Sequence, residues 1–351
     1  MPIAVLTSGG VDSSVALKLL KDHGHEVTAF YLKIWLEDEL SYLNNCPWAE
    51  DLKYVQEICE KNKIPLEIIN MQKDYYDQVV SYAISELKSG RTPNPDILCN
   101  QRIKFGAFYD KIDKRFDKIA TGHYAQIEEK ENYFYLKRAP DPIKDQTYFL
   151  SHLSQEQLKR AMFPIGHLEK KVVRFLAEKF NLPNKNRKDS QGICFLGKLK
   201  FNEFVKHHLK SKKGEIIELE TNKVLGIHEG FWFFTSGQRK GIKLSGGPYF
   251  VVKKNIEKNI VYVSKKYFEE DKIRNEFIVK NINWITQNPP EKSNLKVKIR
   301  HGENEYKCKI EKINEMNQYK VRISGQDQGL ASGQFAVFYE DEYCLGGGVI
   351  I

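Results

Sequence analysis

The chain reads as an α/β protein in three parts. These are an N-terminal parallel-sheet domain (1–200), a small central β-rich linking domain (201–270) and a C-terminal antiparallel β-barrel (271–351). Three observations predict this. Strand and helix signals alternate through the first 200 residues, the pattern of a parallel sheet covered by helices on both faces. Beyond that point short strands follow one another across polar turns, as in antiparallel β structure. A glycine-rich turn also separates the first strand from the first helix, where open parallel sheets bind ligands.

Taken in order, Ile3-Ala4-Val5-Leu6 is an apolar run suited to a buried first strand. It leads into Ser8-Gly9-Gly10-Val11-Asp12-Ser13-Ser14 and then the apolar-periodic helix Val15-Ala16-Leu17-Lys18-Leu19-Leu20. Residues 27–32 read as a second strand, 50–61 as an amphipathic helix, 66–70 as a third strand and 118–121 as a fourth that ends at Gly122. Thr121-Gly122-His123 therefore falls at a strand's carboxyl end, beside the glycine turn. In the second half, 216–219, 259–263, 295–300, 306–310, 319–323 and 334–339 are short strands, with a boundary near 271–274. Two of them alternate basic and apolar residues: Leu295-Lys296-Val297-Lys298-Ile299-Arg300 and Tyr319-Lys320-Val321-Arg322-Ile323. Period two puts these charges opposite the barrel core, as a solvated face or an RNA-backbone contact.

Composition narrows the class. A chain of 351 residues, 29% charged and 41% hydrophobic, is globular and long enough for two or three domains. Its formal charge is +9, of which +6 falls in 201–351. That balance suits a polyanion such as RNA, and equally a generally lysine-rich composition. No apolar stretch approaches the roughly 18 residues of a membrane span, and no basic segment precedes the first apolar run, so neither anchor nor signal peptide is expected. Six widely spaced cysteines without a C-x-x-C pair fit a cytosolic protein with one or two reactive thiols.

The glycine turn carries the first chemistry. Its glycines bend the backbone tightly, and the amides at the helix start point towards an anion. There is no Gly-Lys-Ser/Thr ending of the Walker type; Asp12 is instead placed to hold magnesium bound to pyrophosphate. Two cysteines carry the second. Cys99 follows Pro93, Asn94 and Pro95, which predicts a rigid, exposed presentation, and Arg102 and Lys104 would favour its thiolate. Cys194 follows the basic segment 185–188, and Gly192 permits close approach of a ligand. Asp96 is either an acid–base group or an ordinary turn cap. Cys46, Cys59, Cys308 and Cys344 are assigned to structure.

The glycine turn resembles that of the pyrophosphate-loop ATPases, with their adenine nucleotide alpha-hydrolase-like domain. Further runs narrow the likeness: Arg91-Thr92-Pro93-Asn94-Pro95-Asp96-Ile97-Leu98-Cys99-Asn100, Thr121-Gly122-His123-Tyr124-Ala125, Lys144-Asp145-Gln146 and Asp189-Ser190-Gln191-Gly192-Ile193-Cys194-Phe195. With Thr235-Ser236-Gly237-Gln238-Arg239-Lys240-Gly241 and the ending Cys344-Leu345-Gly346-Gly347-Gly348, the chain resembles the tRNA-specific 2-thiouridylases from end to end. That family adenylates a uracil C2 oxygen with ATP and replaces it with sulfur.

The resemblance implies roles by position. ATP would meet Leu6, Thr7, Ser8, Gly9, Gly10, Val11, Asp12 and Ser13, with the Leu32 backbone beside adenine and Gly122 completing the site. The family often has methionine where this chain has Thr7 and Leu32, a change that backbone contacts tolerate. Cys194 would carry the persulfide and Cys99 would be its catalytic partner. Asn94, Pro95 and Asp96 would touch the target base, and His123 would lie near the RNA. Lys144, Asp145, Gln146, Arg300, His301 and Gln334 would contact tRNA. The implied substrates are uridine 34 of the lysine, glutamate and glutamine tRNAs, with ATP and Mg2+. A cysteine desulfurase or a sulfur-relay protein would be the donor to a monomeric cytoplasmic enzyme. A pyrophosphate-loop ligase acting on a small metabolite explains the glycine turn but leaves the cysteines idle. A catalytically silent RNA-binding protein leaves Asp12 idle as well.

Overall fold

A computed structural model describes residues 2–34, 47–189, 201–266, 274–292, 294–314, 317–327 and 329–351. Cys46, Cys194 and most of the predicted boundary at 271–274 lie outside those residues.

The N-terminal half is built on a five-stranded parallel sheet. Its strands begin with β1 (Ile3–Thr7), β2 (Val27–Lys33), β3 (Leu66–Asn70) and β4 (Lys118–Ala120). A hairpin of β5 (Ala125–Lys130) and β6 (Tyr133–Arg138) follows, then the short β7 (Ala161–Met162). The sheet order is β3-β2-β1-β4-β7. Alternation along the strands supplies both faces: Ala4, Leu6 and Phe30 enter one core, while Ile3, Val5, Ala29 and Tyr31 enter the other. Helix α1 (Val11–Asp22) and helix α2 (Pro47–Asn62) cover the second face together with α3 (Lys170–Lys179). Sequence order runs outward from β1 through β2 to β3 and, on the other side, through β4. The β1 and β4 carboxyl ends therefore flank the switch point where such sheets open a crevice.

The central sheet contains β8 (Gly214–Glu218), β9 (Val224–His228), β10 (Phe250–Asn255) and β11 (Ile260–Ser264), ordered β10-β11-β8-β9. It departs from purely antiparallel β in one pair, since β11 and β8 run parallel. The barrel strands are β12 (Glu276–Trp284), β13 (Asn294–Lys298), β14 (Tyr306–Asn314), β15 (Gln318–Ile323), β16 (Phe335–Glu340) and β17 (Tyr343–Ile350). They pair antiparallel in the order β12-β15-β14-β13-β16-β17, and β17 closes back on β12.

Two features join the barrel to the first domain. The β5–β6 hairpin adds to the barrel's sheet through Cys344 opposite Leu136 and Tyr343 opposite Lys137. Sequence reading found no strand there, because the hairpin's charged residues hide its alternation. Strand β16 is buried on both sides: Ala336 and Phe338 face the barrel core, whereas Phe335, Val337 and Tyr339 belong to the core of the N-terminal domain. Each such side chain is worth about 1.5–3 kcal/mol when buried, against about 0–1 kcal/mol for an exposed ion pair. Apolar burial therefore holds this seam together more than its salt bridges do. Among the described residues, no helix is long and apolar enough to cross a membrane.

Candidate active site

The crevice starts at the end of β1. There the Ser8 amide donates to Ser13 Oγ at 3.2 Å, closing the turn. Gly9 has φ +70°, and a Cβ on it would lie 2.6 Å from the Asp51 carbonyl, so glycine is required twice over. Gly10 has no side chain to cap α1, whose first-turn amides are the positive end of the helix. Gly122 presses on the same turn from β4: a Cβ there would be 2.6 Å from Ser13 N and 2.8 Å from the Asp12 carbonyl carbon. The two predicted glycine positions thus form one surface.

Residues from a distant stretch brace this turn. Asn184 Nδ2 donates to Gly9 O at 2.8 Å and to Ser14 Oγ at 2.9 Å. Arg187 donates to Gly9 O at 3.0 Å and pairs with Asp51. The Asp12 carboxylate accepts from Tyr124 Oη at 2.8 Å and from Lys170 Nζ at 2.7 and 2.9 Å. Lys170 also reaches Asp189 at 2.8 Å, and Asp189 pairs in turn with Lys144 at 2.7 Å and with Arg174. Burial opposes ionisation of Asp189, but hydrogen bonds from Lys144 and Lys170 outweigh it and hold the carboxyl well below the usual range. Tyr124 moves the other way: burial, then the Asp12 charge, pushes its phenol up and keeps it a donor.

Among the described residues, no cluster of three or more carboxylate, histidine or cysteine side chains could hold a metal. Asp12 alone fits magnesium in the usual nucleotide manner, as one carboxylate sharing the ion with phosphate oxygens.

The proline segment departs from expectation. Asn94, not Asp96, caps the short helix Pro95–Leu98, its Oδ1 accepting from the Ile97 amide at 3.5 Å. Asp96 stands in that helix's first turn, so the cap reading passes to its neighbour. The helix continues through Cys99 into a π-helical segment, Cys99–Ala107, which is kinked at Gly106. That continuation buries Cys99 to 2% exposure among Ile97, Leu98 and Ile103, where a rigid exposed loop was expected. The prolines fix a helix start and do not hold a loop open. Arg102 donates to the Gln78 carbonyl, and Lys104 to Asn100 Oδ1 at 2.9 Å.

The RNA candidates divide by position. His123 stands one residue beyond Gly122, its Nδ1 2.7 Å from Thr121 Oγ1 and its ring edge against Phe163. Desolvation, helped by the Lys104 charge, pushes its pKa well below the usual histidine value. Lys144 faces the Asp189 network, but Asp145 is 3% exposed and spends its carboxylate on Thr147 and the Ala139 amide. Gln146 accepts from the Tyr124 amide at 2.9 Å, so it also braces the crevice.

His301 comes from the barrel to meet this stretch. Its Nε2 is 3.3 Å from Asp145 O, and its ring lies 4.6 Å from that of Phe149. Arg300 pairs with buried Asp327 at 2.9 Å, and Tyr306 donates to the same carboxylate. Tyr148 ties the two sides, with Oη 3.5 Å from Asn94 Nδ2 and donating to Phe335 O at 3.1 Å. Gln334, next to it, has a buried Oε1 without a partner among the described residues. The loop before Asn94 is gripped as well: the Thr92 amide donates to Ser332 O at 2.8 Å, and Thr92 Oγ1 is 3.5 Å from Thr235 Oγ1.

The predicted basic face is only partly a solvated one. Lys320 and Arg322 share Glu276, Lys296 pairs with Glu305, and Lys298 is buried under the N-terminal domain. Burial pushes the Cys59 thiol up to about 11 and those of Cys308 and Cys344 up to about 12, which leaves them unreactive near neutral pH. Cys194 and Ser190 to Phe195 lie outside the described residues, but Asp189, first in that run, is at the centre of the charge network. Sequence reading missed Lys170, Arg174, Tyr148, Asn184 and Arg187 as site residues. Each sits in an ordinary helix or turn, and only the fold brings it to the crevice.

Three family models match successive stretches. They are described as a tRNA methyl transferase HUP domain over residues 1–198, a tRNA methyl transferase PRC-barrel domain over 202–265 and an aminomethyltransferase beta-barrel domain over 274–350. Among similar curated proteins is the tRNA-specific 2-thiouridylase MnmA of Parabacteroides distasonis. It is 46% identical over 357 residues, covering 100% of this chain and 99% of that protein. The tRNA-specific 2-thiouridylase MnmA 1 of Bacteroides thetaiotaomicron is 45% identical over 356 residues, with coverage of 100% and 99%. That of Porphyromonas gingivalis is 42% identical over 360 residues, again covering 100% and 99%.

Proposed function

The chain belongs to the tRNA-specific 2-thiouridylase family, and from that premise we propose that it is a cytoplasmic, monomeric, ATP-dependent tRNA sulfurtransferase. It replaces the C2 oxygen of uridine 34 in the lysine, glutamate and glutamine tRNAs with sulfur. Residues 1–200 hold ATP and the chemistry, 201–270 link, and 271–351 bind tRNA. The observation that carries the reading is the Lys170 bridge. One ammonium holds Asp12 of the nucleotide turn and Asp189 of the cysteine-bearing run, and Lys144 joins it at Asp189.

The turn amides and α1 receive the triphosphate, Asp12 would hold a magnesium ion that neutralises phosphate charge, and Lys170 lies ready for the departing pyrophosphate. The C2 oxygen attacks the α-phosphate and expels pyrophosphate, so the poor leaving group becomes AMP. The terminal persulfide sulfur on Cys194 then bonds to C2 as the C2–O bond breaks. Cys99 attacks the Cys194 sulfur, leaving 2-thiouridine and a Cys99–Cys194 disulfide. Asp96 takes and returns the uracil N3 proton. The base must leave the anticodon stack for this, towards Asn94, Pro95 and Asp96, with His123 close by. A thiol reductant first opens the Cys99–Cys194 disulfide to two thiols, itself becoming the disulfide. A cysteine desulfurase, directly or through a relay protein, then passes its outer persulfide sulfur to the Cys194 thiolate.

The test combines the protein with ATP, magnesium, a cysteine desulfurase, radiolabelled cysteine and unmodified lysine tRNA. Label is expected in 2-thiouridine and lost in Cys194→Ser and Asp12→Ala. Label held on protein but absent from RNA means a wrong acceptor. No label with an active donor favours a metabolite ligase, and no ATP turnover with tRNA present favours a silent RNA-binding protein.

A further inference from the structure

Where the barrel meets the N-terminal domain, one cation stands apart. Lys298 is on β13, turned out of the barrel core, yet the other domain covers it to 4% exposure. Among the described residues its ammonium has no hydrogen bond and no ion pair; its Nζ lies 5.9 Å from the Tyr339 ring centroid. The nearby carboxylates are engaged elsewhere. Glu305 takes Arg138 and Lys296, and Asp145 takes Thr147 and the Ala139 amide. Arg138 lies over the same Tyr339 ring at 3.9 Å, its Nε buried and without a partner among the described residues. Desolvation pushes the Lys298 pKa down, against the pull of Asp145.

The Lys298 stem is buried and its ammonium has no acceptor among the described residues, so an anion that reaches the Nζ is held without having to displace a carboxylate. We propose that Lys298, with Arg138 beside it, forms an anion site on this seam and that the anion is a phosphodiester of bound RNA. The position favours RNA over a free ion: Lys298 lies close enough for its charge to help burial lower the His301 pKa, and His301 touches the Lys144–Gln146 stretch. The inference rests on the tRNA reading given above.

Affinity for unmodified lysine tRNA is measured by fluorescence anisotropy between about 50 and 200 mM KCl, for the wild type, Lys298→Met and Lys298→Arg. Lys298→Met is expected to bind about 3–10-fold more weakly at the lowest salt, with the log–log salt slope reduced by about one. Lys298→Arg should restore the slope, and Lys298→Met should melt no lower than wild type. An unchanged slope in Lys298→Met, or an equal loss in Lys298→Arg, overturns the proposal. Titrating inorganic phosphate separates the sources: phosphate that stabilises the wild type while Lys298→Met leaves the tRNA slope intact overturns the assignment to RNA. A wild type that binds no tRNA would instead sink the tRNA reading itself.

Discussion

The nucleotide crevice and the barrel seam lie in one molecule but handle charge in opposite ways. At the crevice three carboxylates around the glycine turn have their cations: Asp12 has Lys170, Asp189 has Lys170, Lys144 and Arg174, and Asp51 has Arg187. At the seam an apolar face supplies the adhesion, and among the described residues the Lys298 ammonium has no ion pair. The difference teaches what each surface must do. A phosphoryl-transfer centre needs charges held at fixed points before substrate arrives. A surface for a polyanion works by keeping positive charge uncompensated until it binds.

Changes at the crevice should be the most damaging. Gly122→Val drives a side chain into the Asp12–Ser13 backbone, with contacts already at 2.6 and 2.8 Å. It is expected to weaken ATP binding about 100-fold or more, on the order of 3 kcal/mol, by calorimetry without tRNA. Near-normal binding would mean the two glycine surfaces do not share one ligand. Lys170→Met comes next. Removing one partner from a charged hydrogen-bonded cluster should cut kcat/KM about 30–100-fold, with Lys170→Arg recovering part. Equal losses in both variants would make the bridge a matter of packing.

At the seam the expected effects act on stability. His152 packs edge-on against Phe335, and burial, then the Arg102 charge, pushes its pKa down to about 4. The unfolded chain takes up that proton near 6.5, so it binds more protons than the folded state between those values. Stability should therefore fall as pH drops from 6.5 towards 4, by up to about 3 kcal/mol, and His152→Gln should flatten the slope in denaturant titrations. An unchanged slope would remove His152 from the account. Tyr148→Phe should be mildest. It loses the bond to Phe335 O, costing about 1 kcal/mol and leaving ATP binding intact.

How much was legible follows the same division. The turn from Ser8 to Ser14 was readable because its function needs contiguous residues: glycines for the bend, a helix start for the amides and a carboxylate between. Its supports were not, since Asn184 and Arg187 donate to Gly9 O from over 170 positions away. Cys99 was misplaced because prolines before a cysteine signal a turn and a helix start alike, and only the helical winding that carries on past Cys99 decides between them. The closing barrel strand hid for a related reason. Gly346 and Gly348 lower any strand propensity, but Cβ atoms there would stand 1.8 Å from Asn283 O and 2.8 Å from Lys280 O. Those glycines let β17 approach β12, which no local signal announces.

The hairpin β5–β6 shapes how the protein is made. Its Lys130 waits for Tyr343, 213 positions later. At the usual synthesis rate of about 5–20 residues per second, that is roughly 10–40 s during which the emerging chain carries an unpaired strand edge. Ribosome-bound intermediates should therefore be stickier than the finished protein. For the same reason, a fragment cut off before residue 274 would keep that edge permanently and be prone to self-association.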